Sequence, residues 1–440
     1  MKKPLVNIVT LGCSKNKVDS ERLAASLSHR YDIVHDSDKK SEVVIINTCG
    51  FIGDAKEESI DTILEYAELR RAKKIKKLYV TGCLSQRYRK DLQEEIHEVD
   101  GFFGVESVQL IAKDVLSQDA ADSETLQLCD SVPYNHERIL STPSHYAYLK
   151  ISEGCNRRCA FCAIPLIRGE HVSVPMEDLL KEAELLAQKG VKELILIAQD
   201  LTYYGRDIDG QYHIVDLVKR LLEIKEFEWI RLHYGYPQGF PDELLDLMNN
   251  EPRICNYIDL PLQHISTPIL KNMRRGVDKE QTVNFVLNAR KRVPGIAFRT
   301  TFIVGFPGET EEQFEELCDF VKEMKFERAG VFAYSPEEGT PAYEMEDDVP
   351  EEVKQERVDT IMEIQQNISL ETNEKRVGTI EKVLVDRIEG DYYIGRTQYD
   401  SPEVDDEILI SVESADLNVG DFVNVKLVKA DYFDLYGEVL

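Results

Sequence analysis

The middle of the chain carries three cysteines within eight residues. The segment KISEGCNRRCAFCAIP contains Cys155, Cys159 and Cys162 in a C-x3-C-x2-C spacing. Three thiolates on one loop can close around one face of an iron–sulfur cubane and leave one iron without a protein ligand. A zinc loop is the alternative, but no second pair of Cys or His follows at zinc-finger spacing. The spacing therefore favours a reactive iron–sulfur cluster.

A second set of three cysteines is dispersed through the first third of the chain. Cys13, Cys49 and Cys83 lie 36 and 34 residues apart, and they end or follow the runs VNIVTLGC, EVVIINTCG and KLYVTGC. A lone cysteine is usually a small buried hydrophobe, but three at equivalent places in repeated units favour a shared metal site. No obvious fourth Cys or His completes a structural zinc site, so three thiolates with an open position suit an iron–sulfur cluster better.

The elements around these dispersed cysteines predict how the three side chains meet. Each β-branched run is typical of a buried strand, and each is followed by an amphipathic helical stretch. Such alternation predicts a parallel sheet, and the C-terminal ends of parallel strands share the edge where open α/β sheets bind ligands. We therefore expect the dispersed cysteines to converge there, beside helix N-termini that stabilise anionic thiolates.

Further predicted strands surround the central cysteines. YAYLKIS precedes them, and ELILIAQD, WIRLHYGYP, NYIDLPLQH, IAFRTTFIVGFPGE and AGVFAYSP follow at roughly the spacing of β–α units. C-x3-C-x2-C after a strand resembles the signature of radical S-adenosylmethionine (SAM) enzymes. In that family the cysteines hold a [4Fe–4S] cluster whose open iron chelates the methionine group of SAM. The resemblance implies a partial (β/α)6 barrel with its active site at the C-terminal ends of the strands.

Several residues are candidates for contact with the cofactor. By resemblance, the turn GFPGET lies near the adenosine of SAM, which implicates Gly305, Pro307 and Gly308. Phe161 lies between the last two central cysteines, although packing is an equal explanation for it. Gln199 ends the second barrel strand together with the adjacent aspartate, Asp200, and both could touch cofactor or substrate.

Four motifs narrow the family further. ISEGCNRRCAFCAIP, LPLQHIS, GFPGET and YSPEEGTPA together look like those of the methylthiotransferases, whose N-terminal domain also carries three dispersed cysteines. The resemblance covers essentially the whole chain and implies a second [4Fe–4S] cluster on Cys13, Cys49 and Cys83 that carries the sulfur. It implies that SAM cleavage at the first cluster yields a 5′-deoxyadenosyl radical, which takes hydrogen from an unactivated carbon. No separate catalytic acid or base is assigned.

The C-terminal part reads as a separate module. Pro350 begins a charged helical stretch to about Lys375, and short strands separated by EGD, SPEVDD and NVGD follow. They predict a small antiparallel barrel of OB-like size, which resembles the TRAM domain, commonly an RNA-binding module. The expected α/β chain thus has an N-terminal methylthiotransferase domain at 1–125, a radical SAM core at 140–372 and a TRAM domain at 375–440.

Charge bears on the substrate. The chain has a formal net charge of −28, and the segment from Lys375 onward holds seven basic and fifteen acidic residues. Such charge works against a polyanion and favours a basic partner. GRTQYDSPEVDDEILI resembles the subgroup that modifies the β-carbon of an aspartate in ribosomal protein S12. We expect Asp405, Asp406 and Glu407 to promote S12 association.

Two other functions and the remaining partners complete the expectations. A tRNA-adenosine methylthiotransferase shares the chemistry, and a non-catalytic, metal-stabilised RNA-binding protein belongs to another class. The first reading requires a reducing electron donor and a sulfur donor. No apolar run is long enough to span a bilayer, and the run before Cys13 is too short for a signal core. The nine cysteines suit cytosolic thiols or ligands, so a cytoplasmic location is expected.

The remaining reactive side chains are given ordinary roles. Cys129 in a polar linker, Cys255 just before a strand and Cys318 inside a helix are read as plain buried or spare thiols. His233 and His264 near strand ends could line the barrel pocket or be satisfied core histidines. The basic run from Arg70 to Lys77 is read as solvated charge at a helix end.

Overall fold

The computed structural model describes residues 3–105, 111–112, 115 and 136–440. The chain divides into two compact units. One comprises Met1–Thr142, Tyr148–Arg157 and Ala163–Leu185, and the other comprises Pro143–Ala147, Arg158–Cys162 and Leu186–Leu440. Cys129 falls outside the described residues.

The first unit is built on a parallel sheet. Its strands are β1 Leu5–Thr10, β2 Asp32–His35, β3 Val43–Thr48, β4 Lys77–Gly82 and β5 Gly101–Phe102. They lie in the order β2-β1-β3-β4-β5, and each pairing is parallel. The three helices between them are α1 Ser14–Leu27, α2 Gly53–Arg71 and α3 Cys83–Glu95. Every residue of β3 is buried, as expected for a central strand covered on both faces. The predicted strand–helix alternation is confirmed.

The same unit also contains two short strands and two helices from the middle of the chain. Its elements are β7 Ser152–Glu153, α4 Ile164–Arg168, β8 Val172–Ser173 and most of α5 Met176–Gln188. β7 and β8 pair antiparallel. Arg138 is fully buried between Glu21 and Glu182, and its Nη1 lies 2.9 Å from Glu182 Oε1. A buried guanidinium requires such carboxylate partners.

The second unit contains the barrel sheet. Its strands are β6 Tyr146–Lys150, of which the first two residues belong to this unit, β9 Glu193–Ile197, β10 Trp229–Leu232, β11 Ile254–Asp259, β12 Ala297–Val304 and β13 Arg328–Ala333. The order is β13-β12-β11-β10-β9-β6, and the pairings from β9 to β13 are parallel. The helices are α6 Arg206–Asp209, α7 Ile214–Leu221, α8 Asp242–Asn250, α9 Thr267–Asn272, α10 Lys279–Arg292 and α11 Glu311–Met324. The six predicted barrel strands are confirmed.

The tail of the second unit is a long helix followed by a closed barrel. α12 Glu351–Arg376 begins after Pro350, as predicted. The barrel strands are β14 Ile380–Glu389, β15 Tyr392–Arg396, β16 Glu407–Ser411, β17 Phe422–Ala430 and β18 Asp434–Val439. They close in the order β14-β15-β16-β18-β17 around an apolar core. Only the β16–β18 pairing is parallel, so the predicted antiparallel barrel holds for the other four.

The two described spare cysteines lie in regular elements. Cys318 lies inside α11, as predicted. Cys255 is the second residue of β11 and is fully buried, so its predicted position before the strand is wrong. The polar residues around it hide the start of the strand in the sequence. In the described ranges, no helix combines the length and the apolar character needed to cross a membrane.

Candidate metal centres

The three dispersed cysteines lie at one edge of the first sheet. Cys13 is the N-cap of α1 after β1, Cys49 directly follows β3, and Cys83 is the first residue of α3 after β4. These three strands are neighbours, so their C-terminal ends are adjacent. The three cysteines therefore lie at adjacent strand ends, as the sequence predicts, and their shared metal site stays a prediction.

Two glycines allow the cysteine segments to approach. Gly12 has a φ of +85°, and a Cβ built there would lie 2.7 Å from Cys49 Cβ and 2.9 Å from Cys49 Sγ. A Cβ on Gly50 would lie 2.7 Å from the backbone nitrogen of Leu84. Only glycine combines that backbone conformation with such close contact. The loops that carry the thiols are thus packed directly on one another.

The thiols of this set share one electrostatic environment. Burial raises the pKa of Cys13, but the charges of Lys15 and Arg168 outweigh it and hold the pKa below its usual value. Burial raises the pKa of Cys49 and raises that of Cys83 to about 11 despite Arg168. The charge of Cys13 contributes to both increases. Burial and neighbouring charges thus act on all three thiols.

The central cysteines are divided between the units. In the first unit, the Cys155 backbone N–H donates to the Gly169 carbonyl at 3.1 Å. Its sulfur accepts a hydrogen bond from the Arg157 backbone N–H at 3.4 Å. Gly154 has a φ of +72°, and a Cβ there would lie 2.0 Å from the Glu170 carbonyl oxygen. The chain around Cys155 is thus fixed by backbone packing.

In the second unit, Cys159 and Cys162 belong to one tight turn. The Cys162 N–H donates to the Cys159 carbonyl at 3.2 Å. Between them, the Ala160 N–H donates to the Met273 carbonyl at 2.9 Å, and the Ala160 carbonyl accepts from the Ala342 N–H at 2.8 Å. These bonds anchor the turn on both sides. Its two thiols are therefore held by a rigid backbone.

The predicted cofactor residues lie around this turn. Phe161 is half-buried and packs against an apolar cluster that contains Phe306, the second residue of GFPGET. In that motif, Gly305 has a φ of +70°, Pro307 is buried and Gly308 is exposed. The structure therefore brings Phe161 and the GFPGET turn together.

The pair after the second barrel strand behaves differently. Gln199 is half-buried just beyond β9. The Asp200 carboxylate accepts from the backbone N–H of Thr202 at 3.0 Å and from its hydroxyl at 2.6 Å. Asp200 thus caps the following 3₁₀ turn, Leu201–Tyr203. These local hydrogen bonds give Asp200 a structural role.

A buried arginine beside Cys159 escaped the sequence analysis. Arg275 Nη1 donates to Cys159 Sγ at 3.4 Å, and Nη2 donates to the Pro261 carbonyl at 2.5 Å. Its guanidinium carbon lies 4.3 Å from the ring centre of Tyr236. The arginine is 4% exposed, so it is a fixed positive charge beside the thiol.

Several buried polar atoms are left for a ligand near the barrel strand ends. Arg275 Nε and Tyr334 Oη have no hydrogen-bond partner within the described ranges. The side-chain oxygen of Gln263 also has no hydrogen-bond partner among the described residues. Gln263 lies in the loop after β11 and has a φ of +75°. Buried polar atoms of this kind usually have partners. Soft thiol donors and unmatched polar groups fit an iron–sulfur cluster with a polar cofactor.

The cysteines do not form a preformed ion cage. Across the described ranges, no three or more His, Cys, Asp and Glu side chains form a group that could hold a metal ion. All eight cysteines in the described part of the chain are free thiols. The assignment of clusters therefore rests on the thiol chemistry and on the strand-end positions.

The acidic run in the tail is not the exposed surface that its charge suggests. The Asp405 side chain is 1% exposed, accepts from Tyr257 Oη at 2.7 Å and pairs with Arg299. Asp406 is 3% exposed and pairs with Arg328. Glu407 is 31% exposed and pairs with Arg387 at 2.6 Å. Because the charges of the three acids are paired within the second unit, the structure gives no support to the expectation that they attract S12.

The histidines and the basic run that were given ordinary roles form contacts within their own units. His233 Nε2 lies 3.0 Å from Ser401 Oγ, and His264 Nδ1 accepts from the Ser266 N–H at 3.0 Å. Both histidines are buried. His233 fits the interpretation of a satisfied core histidine, whereas His264 Nε2 has no hydrogen-bond partner among the described residues. The basic run is partly neutralised instead of merely solvated. Arg70 and Lys77 both pair with Asp100, at 3.0 and 2.9 Å.

Comparisons with known proteins agree with the modules seen in the fold. The Radical SAM superfamily matches residues 149–321, the TRAM domain matches residues 377–440, and an uncharacterized protein family, UPF0004, matches residues 5–104. TsrM of Kitasatospora setae, a radical S-adenosylmethionine methyltransferase solved with tryptophan and a SAM analogue, has a TM-score of 0.54. The match covers 88% of this chain and 79% of that chain at 15% identity, so it shows the fold alone.

The fold and the C-x3-C-x2-C loop define a radical SAM protein with a TRAM module. Ribosomal protein uS12 methylthiotransferase RimO of Cytophaga hutchinsonii is 54% identical over all of this chain and 98% of its own length. The RimO of Christiangramia forsetii is 53% identical over all of this chain and 95% of its own length. The chain belongs to the RimO family of methylthiotransferases.

Proposed function

We propose that this enzyme adds a methylthio group to the β-carbon of an aspartate in ribosomal protein S12, in the cytoplasm. One observation carries the proposal. The whole chain aligns with relatives named uS12 methylthiotransferases at 54% and 53% identity, and it carries both cysteine triads in the order that the family resemblance implies. Two unrelated metal-binding patterns in one chain are a specific combination.

Each triad has a separate role in the proposal. Cys155, Cys159 and Cys162 hold a [4Fe–4S] cluster that, when bound, supplies the electron for SAM cleavage. Cys13, Cys49 and Cys83 hold a second [4Fe–4S] cluster, here called the auxiliary cluster, that carries the sulfur to be inserted. A reducing donor and a sulfur donor complete the reaction.

The chain's own residues prepare both sites. Arg275 is the fixed positive charge beside Cys159. Because the side chain is buried, solvent ions screen its charge only weakly. Phe161 and the residues Gly305, Pro307 and Gly308 form the wall proposed for SAM, with Gln199 at a neighbouring strand end. Radical chemistry needs a water-poor site, and the apolar cluster around Ala160 supplies one.

The charge of the chain supports a basic protein substrate. The net charge of −28 disfavours tRNA at long range. With Asp405, Asp406 and Glu407 paired internally, attraction must come from other acids. Exposed examples are Asp391, Glu413, Asp416 and Glu438. We propose module boundaries of 1–125, 140–372 and 375–440.

The experiment is anaerobic reconstitution with iron, sulfide, a reductant and SAM, followed by mass spectrometry of two substrates. S12 and total tRNA are incubated separately with the loaded enzyme. The proposal predicts methylthiolation of one S12 aspartate and unmodified tRNA. Label on adenosine with unmodified S12 would instead make the chain a tRNA methylthiotransferase. Absence of both products together with stoichiometric zinc would favour a non-catalytic RNA-binding protein.

A further inference from the structure

Arg168, the last residue of α4, lies in the polar interior of the first unit. It is 3% exposed. Its Nη2 donates to Asn16 Oδ1 at 2.6 Å. Asn16 Nδ2 in turn donates to the carbonyls of Leu11 at 2.8 Å and Thr48 at 3.1 Å. The guanidinium is thereby tied to the ends of β1 and β3, which lead to the first two dispersed cysteines.

The other edge of the guanidinium faces two acids. Nη1 lies 2.8 Å from Glu153 Oε1 and 3.4 Å from Asp19 Oδ2. Lys150 pairs with both acids, and its Nζ lies 2.7 Å from Glu153 Oε2. Two cations and two carboxylates thus balance in a buried quartet. Removal of one of the cations or one of the carboxylates would leave an uncompensated charge there.

This quartet adjoins the dispersed thiols. Ile167, the neighbour of Arg168, packs in one apolar cluster with Cys83. Asn16, which accepts from Arg168, lies three positions after Cys13, and Thr48, whose carbonyl accepts from Asn16, directly precedes Cys49. The guanidinium therefore lies beside the chain segments that carry the dispersed thiols.

The residues after Arg168 support the chain at Cys155. The Gly169 carbonyl accepts from the Cys155 N–H, and Glu170 leaves room only for a glycine at position 154. Glu153 precedes that glycine and holds Arg168. One short segment, 168–170, thus contacts both the dispersed thiols and the first central cysteine.

We propose that Arg168 is a positioning residue that supplies the counter-charge of the auxiliary cluster and thereby sets its reduction potential. The inference rests on the proposed function, because it presupposes that cluster. Reduction adds an electron to an already anionic group, and a buried positive charge beside it stabilises the reduced state. Asp19 opposes this effect, because its negative charge partly neutralises the same guanidinium.

The test measures the midpoint potential of the auxiliary cluster alone. The parent is the full chain with Cys155, Cys159 and Cys162 changed to alanine, loaded anaerobically and titrated with EPR detection. Arg168→Gln should shift the potential to more negative values, and Arg168→Lys should shift it less. Asp19→Asn should shift it to less negative values. Arg138→Gln removes another buried, acid-paired arginine and should leave the potential of the parent.

Opposite shifts for Arg168→Gln and Asp19→Asn are the signature of charge, because a mere packing defect has no reason to follow the sign. Equal potentials in the parent and Arg168→Gln, or shifts of one sign in both variants, would overturn the inference. If Arg168→Gln loads no iron, loading by Arg168→Lys supports the inference, and failure of Arg138→Gln as well overturns it. An unloaded parent instead refutes the auxiliary site itself, before any change at position 168.

Discussion

Arg275 Nη1 lies 3.4 Å from Cys159 Sγ. The contact joins residues 116 positions apart in the sequence, and the same guanidinium is held over Tyr236. In the other unit, Arg168 donates to Asn16, three positions after Cys13, and its neighbour Ile167 packs with Cys83. Each cysteine triad therefore has a buried arginine beside the segments that carry it, and such a positive charge compensates anionic ligands.

Replacement of Arg275 should impair the first triad and spare the second. A hydrogen bond to a charged group contributes about 1.5–3 kcal/mol, so Arg275→Gln should slow SAM cleavage by roughly 10- to 100-fold. Release of 5′-deoxyadenosine, measured by chromatography, checks this. The exposed neighbour Arg274 gives the matched control, Arg274→Gln. Normal cleavage in Arg275→Gln would show that the contact is dispensable.

The two triads should separate by function. Alanine at Cys155, Cys159 and Cys162 should abolish reductive SAM cleavage. Alanine at the three dispersed cysteines should leave cleavage to 5′-deoxyadenosine intact but stop sulfur insertion, because the sulfur carrier is gone. Both products are measured in one reaction by mass spectrometry. Methylthiolated S12 from the second variant would refute the assignment of the sulfur-bearing site.

Gly12 should be essential to the dispersed triad. Gly12→Ala introduces a strained backbone and a Cβ within 2.9 Å of Cys49 Sγ. Strain at such a φ costs about 1–3 kcal/mol, and displacement of the thiol should reduce auxiliary iron. Gly190 has a φ of +92° with nothing near its missing Cβ, so Gly190→Ala tests strain without the clash. Equal iron in both variants would mean that the Gly12 contact is unimportant.

Asp406 should make unfolding pH-dependent. Burial raises its pKa to about 7, while Arg328 opposes the rise and Asp400 adds to it. Between the unfolded value of 3.8 and about 7, the folded state holds a proton that the unfolded state has released. Stability from this group is therefore complete below pH 3.8 and is lost as the pH rises through 7.

Denaturant titrations at pH 5 and pH 8 test the effect of Asp406. Between these values the wild type should lose on the order of 2 kcal/mol more unfolding free energy than Asp406→Asn. Asp416→Asn, at an exposed acid, should keep the wild-type slope. If Asp406→Asn lost as much unfolding free energy between pH 5 and pH 8 as the wild type, the argument from the burial of Asp406 would be refuted.

Sequence patterns predicted the cysteine edge because strand–helix repetition fixes where the strand ends meet. They missed Arg168 and Arg275, since nothing local links an arginine to a cysteine in a distant element. Net charge misled at Asp405 and Asp406, whose partners Arg299 and Arg328 lie in the strands β12 and β13. Arginines within apolar strands were the available signal, because a buried guanidinium needs a carboxylate.

The most direct measurement of the central claim is the iron and sulfide content of three anaerobically reconstituted proteins. The wild type should contain about eight iron atoms per chain, as two [4Fe–4S] clusters. Alanine at either complete triad should remove about half and leave the Mössbauer signature of one cluster. Stoichiometric zinc in the wild type, or loss of all iron from a single triad change, would contradict two independent clusters.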